Sequence, residues 1–364
     1  TTNPSGTVNV NYGESTSISV STIPVGYEFV NWTVTEGIAS IADPNVTNTT
    51  VVLTDGAASV QANFVLKEYT IVASAGTGGS ITPSGNVIVD HGSDQEFTIT
   101  PDEGYEIDDV LVNGTSVGPL ASYTFTDVTD DATISASFVL KSYSITATSG
   151  LNGGIDPPGE SIVDHGGSQS YTITPTEGYN IEDVLVDGLS VGAVETYDFI
   201  NVTADHTISA SFIIKTFTVS ATAGLNGTIT PVGDTEAEYG SDLTYTITPD
   251  EGYEVEDVLI DGISAGPLTE YTFTSITEDH SISVSFVLKT YTMAATAGEN
   301  GTISPAGETI VDHGSDLTYT IVPDEGYEVE DVLVDGLSVG PVTEYTFTDI
   351  TADHTISVSF VIKT

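Results

Sequence analysis

A short phrase that contains one lysine recurs at a fixed interval along the chain. It reads FVLKEYT at Lys67, FVLKSYS at Lys141, FIIKTFT at Lys215, FVLKTYT at Lys289 and FVIKT at Lys363. Successive lysines are 74 residues apart (141 − 67 = 74), and a constant period of this size is the signature of a tandem array. The sequence therefore predicts five modules, called modules 1 to 5 below: residues 1–68, 69–142, 143–216, 217–290 and 291–364.

Module 1 is a divergent copy of the other four. Its segment NPSGTVNVNYG matches TPSGNVIVDHG of module 2, and ASVQANFVLK matches ATISASFVLK. It has no counterpart of the opening strand that YTIVASAG supplies in module 2. This gap predicts that module 1 accepts a strand from another chain, although a differently bounded domain would explain the same gap.

The patterning within a module is typical of strands. Apolar and polar residues alternate, Thr, Val, Ile, Tyr and Phe are abundant, and turn residues separate the runs. No segment has the period of a long amphipathic helix. We therefore predict an all-β fold, a linear array of small β-sandwich or β-grasp-like modules, with the strands of module 5 at 291–297, 308–312, 317–322, 327–335, 344–348 and 354–362.

Two local irregularities are predicted in the segment GYEVEDVLVDG of module 5. Tyr327 and Val329 keep the two-residue period, but the next apolar residue, Val332, comes three positions later. Such a step is typical of a β-bulge or a strand break at Glu330 and Asp331. The pair DG at 335–336 then predicts a tight turn.

The residue numbers of the inward-facing positions change from even to odd at a lysine, and this change places the lysines between modules. The inward positions before Lys289 are even, with Ile282 and Val284 among them, whereas those after it are odd, starting at Tyr291. One continuous strand would not change faces, so we predict that Lys67, Lys141, Lys215, Lys289 and Lys363 are inter-module joint residues. For the ammonium group itself we expect an ion pair with nearby carboxylates; a solvated side chain and an isopeptide bond are the alternatives.

Composition limits the partners. The chain has 53 acidic residues, 5 lysines and no arginine, a formal charge of −48, so nucleic acids and anionic membranes would be repelled. No apolar run is long enough for direct membrane insertion, and there is no cysteine for a disulfide framework. The expected partners are neighbouring modules or copies of the chain itself, with surface glycans as a further candidate.

Acidic residues cluster in the segment DEGYEVEDV. We predict calcium as a candidate ligand there, because calcium takes six to eight oxygen ligands, while a solvated acidic face is the alternative. No cofactor is required. The candidate calcium ligands are Asp324, Glu325, Glu328, Glu330 and Asp331 in module 5, and Asp250, Glu251, Glu254, Glu256 and Asp257 in module 4.

The sequence predicts no enzyme and no catalytic residues. The motif G-x-S-x-G occurs around Ser116, Ser190, Ser264 and Ser338, but it follows a turn, leads into β-like sequence and is repeated four times, unlike a nucleophile elbow. The six histidines provide at most two ligands in any module, too few for zinc. We interpret them as turn and edge residues: His91, His165 and His313 in VDHG, and His206, His280 and His354 in DHT or DHS.

The segment GGSITPSGNVIVDHGSDQEFTITPDEGYEIDDVLVNG, followed by YTFTDVTDDATISASF, resembles the divergent internalin B-repeat family of bacterial surface proteins. The resemblance covers 69–364, and module 1 is similar to a GYxFxxW branch of the family. It implies small β-rich modules without defined catalytic residues, placed at the cell surface or outside the cell. We therefore expect a structural protein that forms an elongated stalk or fibre. A more specific form of this expectation is a filament in which copies are joined head to tail by strand addition. A calcium-dependent adhesin or a carbohydrate-binding accessory region is the alternative.

Overall fold

A computed structural model describes residues 2, 3 and 5–364 of the chain. Thr1 and Pro4, which belong to the predicted module 1, lie outside the described residues. The chain divides into two compact units. Unit 1 comprises Thr1–Thr148, Ile155–Thr172 and Leu185–Ser209, and unit 2 comprises Ser149–Gly154, Ile173–Val184 and Ala210–Thr364. The division passes through module 3, so modules 1 and 2 lie wholly in unit 1 and modules 4 and 5 wholly in unit 2.

Module 1 is a single sheet of four strands, ordered β1-β2-β4-β3. Two of the strands form a long hairpin, in which Tyr27 pairs with Leu66 at the open end and Ile41 pairs with Val51 near the other end. The strands are β1 (Thr2–Asn3), β2 (Ser15–Val20), β3 (Tyr27–Ile41) and β4 (Asn48–Leu66).

Module 2 has eight strands in two sheets. One sheet has five strands in the order β10-β9-β12-β5-β7, and the other has three in the order β11-β8-β6. The strands are β5 (Glu68–Ala75), β6 (Gly79–Thr82), β7 (Gly85–Asp90), β8 (Gln95–Pro101), β9 (Tyr105–Val112), β10 (Thr115–Gly118), β11 (Ser122–Phe125) and β12 (Ala132–Leu140).

Modules 3 to 5 repeat these eight strands in the same order along the chain. In module 3 they are β13 (Ser142–Ser149), β14 (Gly153–Asp156), β15 (Gly159–Asp164), β16 (Gln169–Pro175), β17 (Tyr179–Val186), β18 (Leu189–Gly192), β19 (Thr196–Phe199) and β20 (His206–Ile214). In module 4 they are β21 (Thr216–Ala223), β22 (Gly227–Thr230), β23 (Gly233–Glu238), β24 (Leu243–Pro249), β25 (Tyr253–Ile260), β26 (Ile263–Ser264), β27 (Glu270–Phe273) and β28 (His280–Leu288). In module 5 they are β29 (Thr290–Ala297), β30 (Gly301–Ser304), β31 (Gly307–Asp312), β32 (Leu317–Pro323), β33 (Tyr327–Val334), β34 (Leu337–Gly340), β35 (Glu344–Phe347) and β36 (His354–Ile362).

The opening strand of a module lies in the middle of its five-stranded sheet. In module 2, β5 pairs in parallel with the closing strand β12, from Ala132 opposite Ile71 to Ala136 opposite Ala75. On its other edge β5 pairs antiparallel with β7. Modules 4 and 5 have the same arrangement, since β21 pairs in parallel with β28 and β29 with β36. The first and last strands of these modules are therefore parallel neighbours.

The core of a module lies between its two sheets, because the alternation of each strand turns one set of apolar side chains inward. In module 2, Ile71, Phe97, Val110 and Ile134 are fully buried in one cluster. Modules 4 and 5 have corresponding clusters. The prediction of an all-β array of repeated modules is confirmed, and the two facing sheets make these modules sandwiches.

Both predicted irregularities of module 5 are present. The register between β33 and β36 shifts between Val329 and Asp331, which is a β-bulge at Glu330. Asp335 and Gly336 both have positive φ, 46° and 78°, as a tight two-residue hairpin turn requires. Two short strands, β30 and β34, were absent from the sequence prediction, because β30 has a single apolar side chain, that of Ile303, and β34 has no buried residue.

The aromatic residues that recur in each module differ in their burial. In module 5, Phe347 is buried, but Tyr327, Tyr345 and Phe360 are only partly buried. The fully buried aromatic residue is Tyr319, in the middle of β32. Across the described residues, no helix is long and apolar enough to span a membrane.

Candidate functional site: the joints and the first module

Each junction between modules is closed by two backbone hydrogen bonds to one lysine. Lys289 is the single residue between β28 and β29. Its N–H donates to the carbonyl of Gly252 at 2.9 Å, and its own carbonyl accepts the N–H of His313 at 2.9 Å. We call such a lysine, glycine and ring residue a joint. The other three joints are Lys67 with Gly26 and His91, Lys141 with Gly104 and His165, and Lys215 with Gly178 and Tyr239.

The ring residue of the following module lies directly against the glycine of the preceding one. Gly252 has a φ of +82°, and a Cβ added there would lie 2.5 Å from Cδ2 of His313. At Gly26, Gly104 and Gly178 the added Cβ would lie closer still to the facing ring. A joint therefore requires glycine for two reasons: its backbone conformation and its lack of a side chain.

The corresponding glycine of module 5, Gly326, provides an internal comparison. Its φ is +89°, and it accepts the N–H of Lys363 at 2.9 Å. A Cβ added at Gly326 would meet no atom of the described chain within 4 Å. Gly326 is exposed, whereas Gly252 is buried. The steric demand on glycine therefore comes from the facing ring.

The ring of a joint is also held by the aromatic residue of its own opening strand. The rings of Tyr291 and His313 have centroids 5.9 Å apart, and the Tyr291 hydroxyl lies 3.3 Å from Nδ1 of His313. Tyr239 replaces histidine at the third joint and donates its hydroxyl to the Glu177 carboxylate of the preceding module at 3.0 Å. This hydrogen bond raises the pKa of Tyr239 above 10.0.

The expected ion pair of the lysine ammonium is not formed. Within residues 2, 3 and 5–364, every ion pair involves a histidine. None of the five lysines is buried: Lys67, Lys141 and Lys363 are exposed, and Lys215 and Lys289 are half-buried. The lysine backbone makes the joint, and at the exposed positions an ion pair of the side chain would be worth little.

A second set of histidines pairs with the aspartate of the DG turn. In module 3, Asp187 accepts the N–H of Thr207 at 2.8 Å and lies 2.8 Å from Nδ1 of His206, whose ring packs on Phe199. The N–H of Thr207 and then His206 lower the pKa of Asp187 below 3.8. Modules 4 and 5 have the same arrangement at Asp261 with His280 and at Asp335 with His354.

The predicted calcium ligands lie along β25 and β33 and the turns before them. Asp331 is engaged within its own hairpin, since its Oδ1 accepts the Ser338 hydroxyl at 2.6 Å and the N–H of Val332 at 2.9 Å. The same oxygen of Asp257 accepts the Ser264 hydroxyl at 2.7 Å. In the described part of the chain, no three Asp, Glu or His side chains are grouped closely enough to hold a metal ion. Calcium binding stays a prediction.

The serines of the G-x-S-x-G motif have a structural role. Ser116, Ser264 and Ser338 each donate to the aspartate beside the bulge, at 2.6 to 2.7 Å. The motif therefore closes the hairpin between the fifth and sixth strands of a module. An exposed nucleophile on a strand-to-helix turn would be a different arrangement.

Module 1 contains an open cleft beside β4. The cleft has a volume of about 410 Å³, and Val8, Val10, Ile18, Trp32 and Val60 line it. Among the described residues of this module, Ile18, Trp32 and Val51 form the buried core. Trp32 is the one tryptophan of the sequence, and its indole N–H donates to the Val46 carbonyl at 3.1 Å.

The modules and their repeated joints define a class of protein, the tandem array of small all-β units. A model of the family described as "Divergent InlB B-repeat domain" matches residues 1–68, 69–142, 217–290 and 291–364. The chain belongs to this family, which confirms the resemblance seen in the motifs. Modules of this family are non-catalytic structural units associated with bacterial surfaces.

Similarity to solved structures is weak. The TIE protein of Bacillus anthracis aligns with 98% of this chain and 74% of its own, at 9% identity and a TM-score of 0.29. The I9-I11 tandem from titin aligns with 61% of this chain and 99% of its own, at 8% identity and a TM-score of 0.14. The pilus adhesin SpaC from Lactobacillus rhamnosus GG, in its open conformation, aligns with 95% and 56%, at 9% identity and a TM-score of 0.14. These scores support no argument about function. No curated protein matches the chain.

Proposed function

We propose that the chain is a stalk or fibre on the outside of a bacterial cell, and that its modules transmit tension. The family supports the surface location. The observation that carries the mechanical role is the parallel pairing of the opening and closing strands in modules 2, 4 and 5.

This pairing determines how a module responds to a pulling force. The chain enters module 4 at the start of β21 and leaves it at the end of β28. Because these strands are parallel neighbours over Val219–Ala223 and His280–Val284, tension on the two ends slides one strand along the other. The evenly spaced hydrogen bonds of a parallel pair are then loaded together, whereas an antiparallel pair pulled from one end would open bond by bond.

The joints pass the force on without slack. One residue separates the closing strand of module 4 from the opening strand of module 5, and that residue is bonded to both modules through its N–H and its carbonyl. A flexible linker would first have to be extended before the next module felt any force.

The proposal includes assembly. Copies would join head to tail by strand addition to module 1, where the cleft beside β4 supports such a contact. Main-chain hydrogen bonds provide the affinity in this mode of recognition, and side-chain pockets provide the specificity.

Single-molecule stretching tests the mechanical role, with Thr222→Pro as the variant. Gly224 donates its N–H to Val284 in β28, and by alternation the N–H of Thr222 points to the same strand. The Thr222 side chain is exposed, so proline removes a bond of the parallel pair while leaving the core side chains unchanged. Thr222→Val is the matched control.

The expected record is a series of steps, each lengthening the chain by at most roughly 240–270 Å for 74 residues. In Thr222→Pro one step should move to lower force while the others keep theirs. Equal forces in the two variants, or a gradual extension without steps, would contradict a role in transmitting tension.

A further inference from the structure

The parallel pair of opening and closing strands ends differently at its two ends. At the far end of module 4, Gly224 donates its N–H to the carbonyl of Val284 at 2.8 Å, so the backbone ladder continues just past β21. The hydrogen bonds that a strand makes to one neighbour recur at every second residue. Counting back from Gly224 in steps of two, the first rung beyond the paired residues Val219–Ala223 falls on the N–H of Thr218.

This rung has a side chain as its acceptor. The closing strand β28 begins at His280, and Asp279, the residue before it, accepts the N–H of Thr218 through Oδ1 at 2.8 Å. A carboxylate therefore takes the place that a main-chain carbonyl has elsewhere in the ladder. We call this contact the entry hydrogen bond, because Thr218 lies near the residue at which the chain enters module 4.

Modules 2 to 5 each have an entry hydrogen bond in the same register. The acceptor is the aspartate directly before the closing strand, and the donor is 61 positions earlier, in the opening strand. The donor and acceptor atoms are 2.7 to 2.8 Å apart, as is typical of a charge-assisted hydrogen bond. The other three pairs are Thr70 with Asp131, Ser144 with Asp205 and Thr292 with Asp353. The contact is therefore a regular part of the module.

The start of the closing strand is also fixed on its other edge. In module 4 the N–H of Ser281 donates to Oδ1 of Asp261 at 2.7 Å, and the carbonyl of Ser281 accepts the N–H of Asp261 at 2.9 Å. These two bonds hold the residues after Asp279 against the turn between β25 and β26. A pull on Thr218 is therefore resisted by a carboxylate whose backbone is anchored.

We propose that the aspartate before each closing strand, Asp279 in module 4, is a force-bearing residue that adds a side-chain rung to the parallel pair where tension enters. The inference rests on the proposed role in transmitting tension and names a residue on which the resistance depends. Tension pulls β21 toward its N-terminus and β28 toward its C-terminus. The bond from Thr218 to Asp279 is then stretched together with the backbone rungs, so its effect should depend on the direction of the force.

The test is single-molecule stretching of module 4 within the full 364-residue chain, with the force applied in two directions. The sequence contains no cysteine, so handles can be attached at introduced cysteines. Thr216→Cys and Thr290→Cys, both at exposed positions, place the force across β21 and β28. Thr246→Cys and Glu270→Cys, exposed partners in β24 and β27, place it within the other sheet.

With the force applied through the module ends, Asp279→Ala should shorten the lifetime of module 4 at constant force by about tenfold, the factor for losing one hydrogen bond to a charged group. With the force applied through β24 and β27, the lifetime should stay close to that of the parent chain. Asp279→Asn keeps an acceptor oxygen and should give an intermediate lifetime under force through the ends. If Asp279→Ala does not fold, Asp279→Asn provides the same comparison between directions. Glu278→Ala, the matched control, removes the same charge one position earlier and should leave both lifetimes unchanged.

Three results would overturn the inference: an unchanged lifetime of Asp279→Ala under force through the module ends, an equal shortening in the two directions, or an equal shortening in Glu278→Ala. An equal shortening in the two directions would make Asp279 an ordinary stabilising residue.

The Thr222→Pro variant separates this inference from the proposal that the modules transmit tension. If Thr222→Pro lowers the rupture force and Asp279→Ala does not shorten the lifetime, the role of the aspartate is refuted and the mechanical role of the parallel pair stands. If neither variant has an effect, both proposals are refuted.

Discussion

The demand for glycine at the joints can be tested with a pair of matched substitutions, Gly252→Ala and Gly326→Ala. Both glycines have a strongly positive φ, +82° and +89°, and both accept the N–H of the lysine that closes their module. They differ in one respect, because only Gly252 faces the ring of a following module, that of His313. The difference between the two variants therefore isolates the contact across the joint.

The expected magnitudes follow from these two features. Alanine in the left-handed region costs about 1–2 kcal/mol, and both variants bear this cost. In Gly252→Ala the new methyl carbon would also lie 2.5 Å from Cδ2 of His313, and such overpacking costs about 1–3 kcal/mol more unless the two modules move apart. For a domain of this size each kcal/mol lowers the unfolding temperature by roughly 4–8 °C.

Two measurements distinguish a strained joint from an opened one. Calorimetry gives the loss of stability in each variant, and the distance between spin labels on modules 4 and 5 gives the geometry of the joint. The sequence contains no cysteine, so labels can be attached at Thr246→Cys and Thr320→Cys, which are exposed and equivalent positions. Gly252→Ala should lose more stability than Gly326→Ala, or should broaden the label distances, while Gly326→Ala should leave them narrow.

Removing the ring provides the decisive control. In the double variant Gly252→Ala with His313→Ala, the steric overlap is gone and only the backbone cost of the alanine remains. The stability that Gly252→Ala removes from a chain already carrying His313→Ala should therefore equal the loss in Gly326→Ala. If Gly252→Ala and Gly326→Ala lose equal stability and keep the same label distances, the ring imposes no steric demand and the reasoning is refuted.

Three further predictions concern the same modules. Lys289→Ala should change the unfolding free energy by less than about 0.5 kcal/mol, because the ammonium forms no ion pair. Lys289→Pro removes the N–H bonded to Gly252 and should broaden the distribution of label distances. Similar behaviour of the two variants would count against a joint made by the backbone. Because the folded pKa of Asp187 is lowered, the charged carboxylate should stabilise the module above its ordinary pKa of 3.8 and lose that effect as the pH falls through the lowered value. Asp187→Asn should therefore flatten this acid-dependent part of thermal stability while keeping an acceptor for Thr207, as Asn113 does for Thr133 at 2.8 Å, and an unchanged pH profile would exclude this role. If the carboxylates of modules 4 and 5 bind calcium, adding calcium should raise their unfolding temperatures and chelation should reverse the gain, whereas unchanged temperatures would exclude the site.

The sequence predicts local features well when they depend on periodicity. The strand alternation, the bulge at Glu330 and the turn at Asp335 all follow from counting positions along one segment, because each strand has a buried and an exposed face. Short strands such as β30 escape this reasoning, since Gly301–Ser304 displays only one buried residue, Ile303. Their place is determined by pairing with β32, which no local pattern records.

The side-chain contacts at the joints could not be predicted from any single segment of the sequence. The contact between Gly104 and His165 joins residues 61 positions apart (165 − 104 = 61) in different modules. The change of parity located the joint at the lysine, and only the expected ion pair of its ammonium was wrong. The contacts across the joint are made by the lysine backbone, whose N–H and carbonyl any residue except proline provides. One signal was present: Tyr239 stands where three other modules have histidine. An exchange between these residues indicates a requirement for a flat ring, because a flat aromatic ring is what the two side chains share.

The chemistry of the joint makes the modules interchangeable. A carbonyl, an N–H, a glycine and a flat ring are the same at every junction, and none of them encodes which module precedes or follows. A duplicated segment of 74 residues inserted at a lysine would therefore find a fitting neighbour on both sides, and a deleted segment would leave a fitting junction behind. The length of the array can change in whole units during evolution without any new interface having to arise.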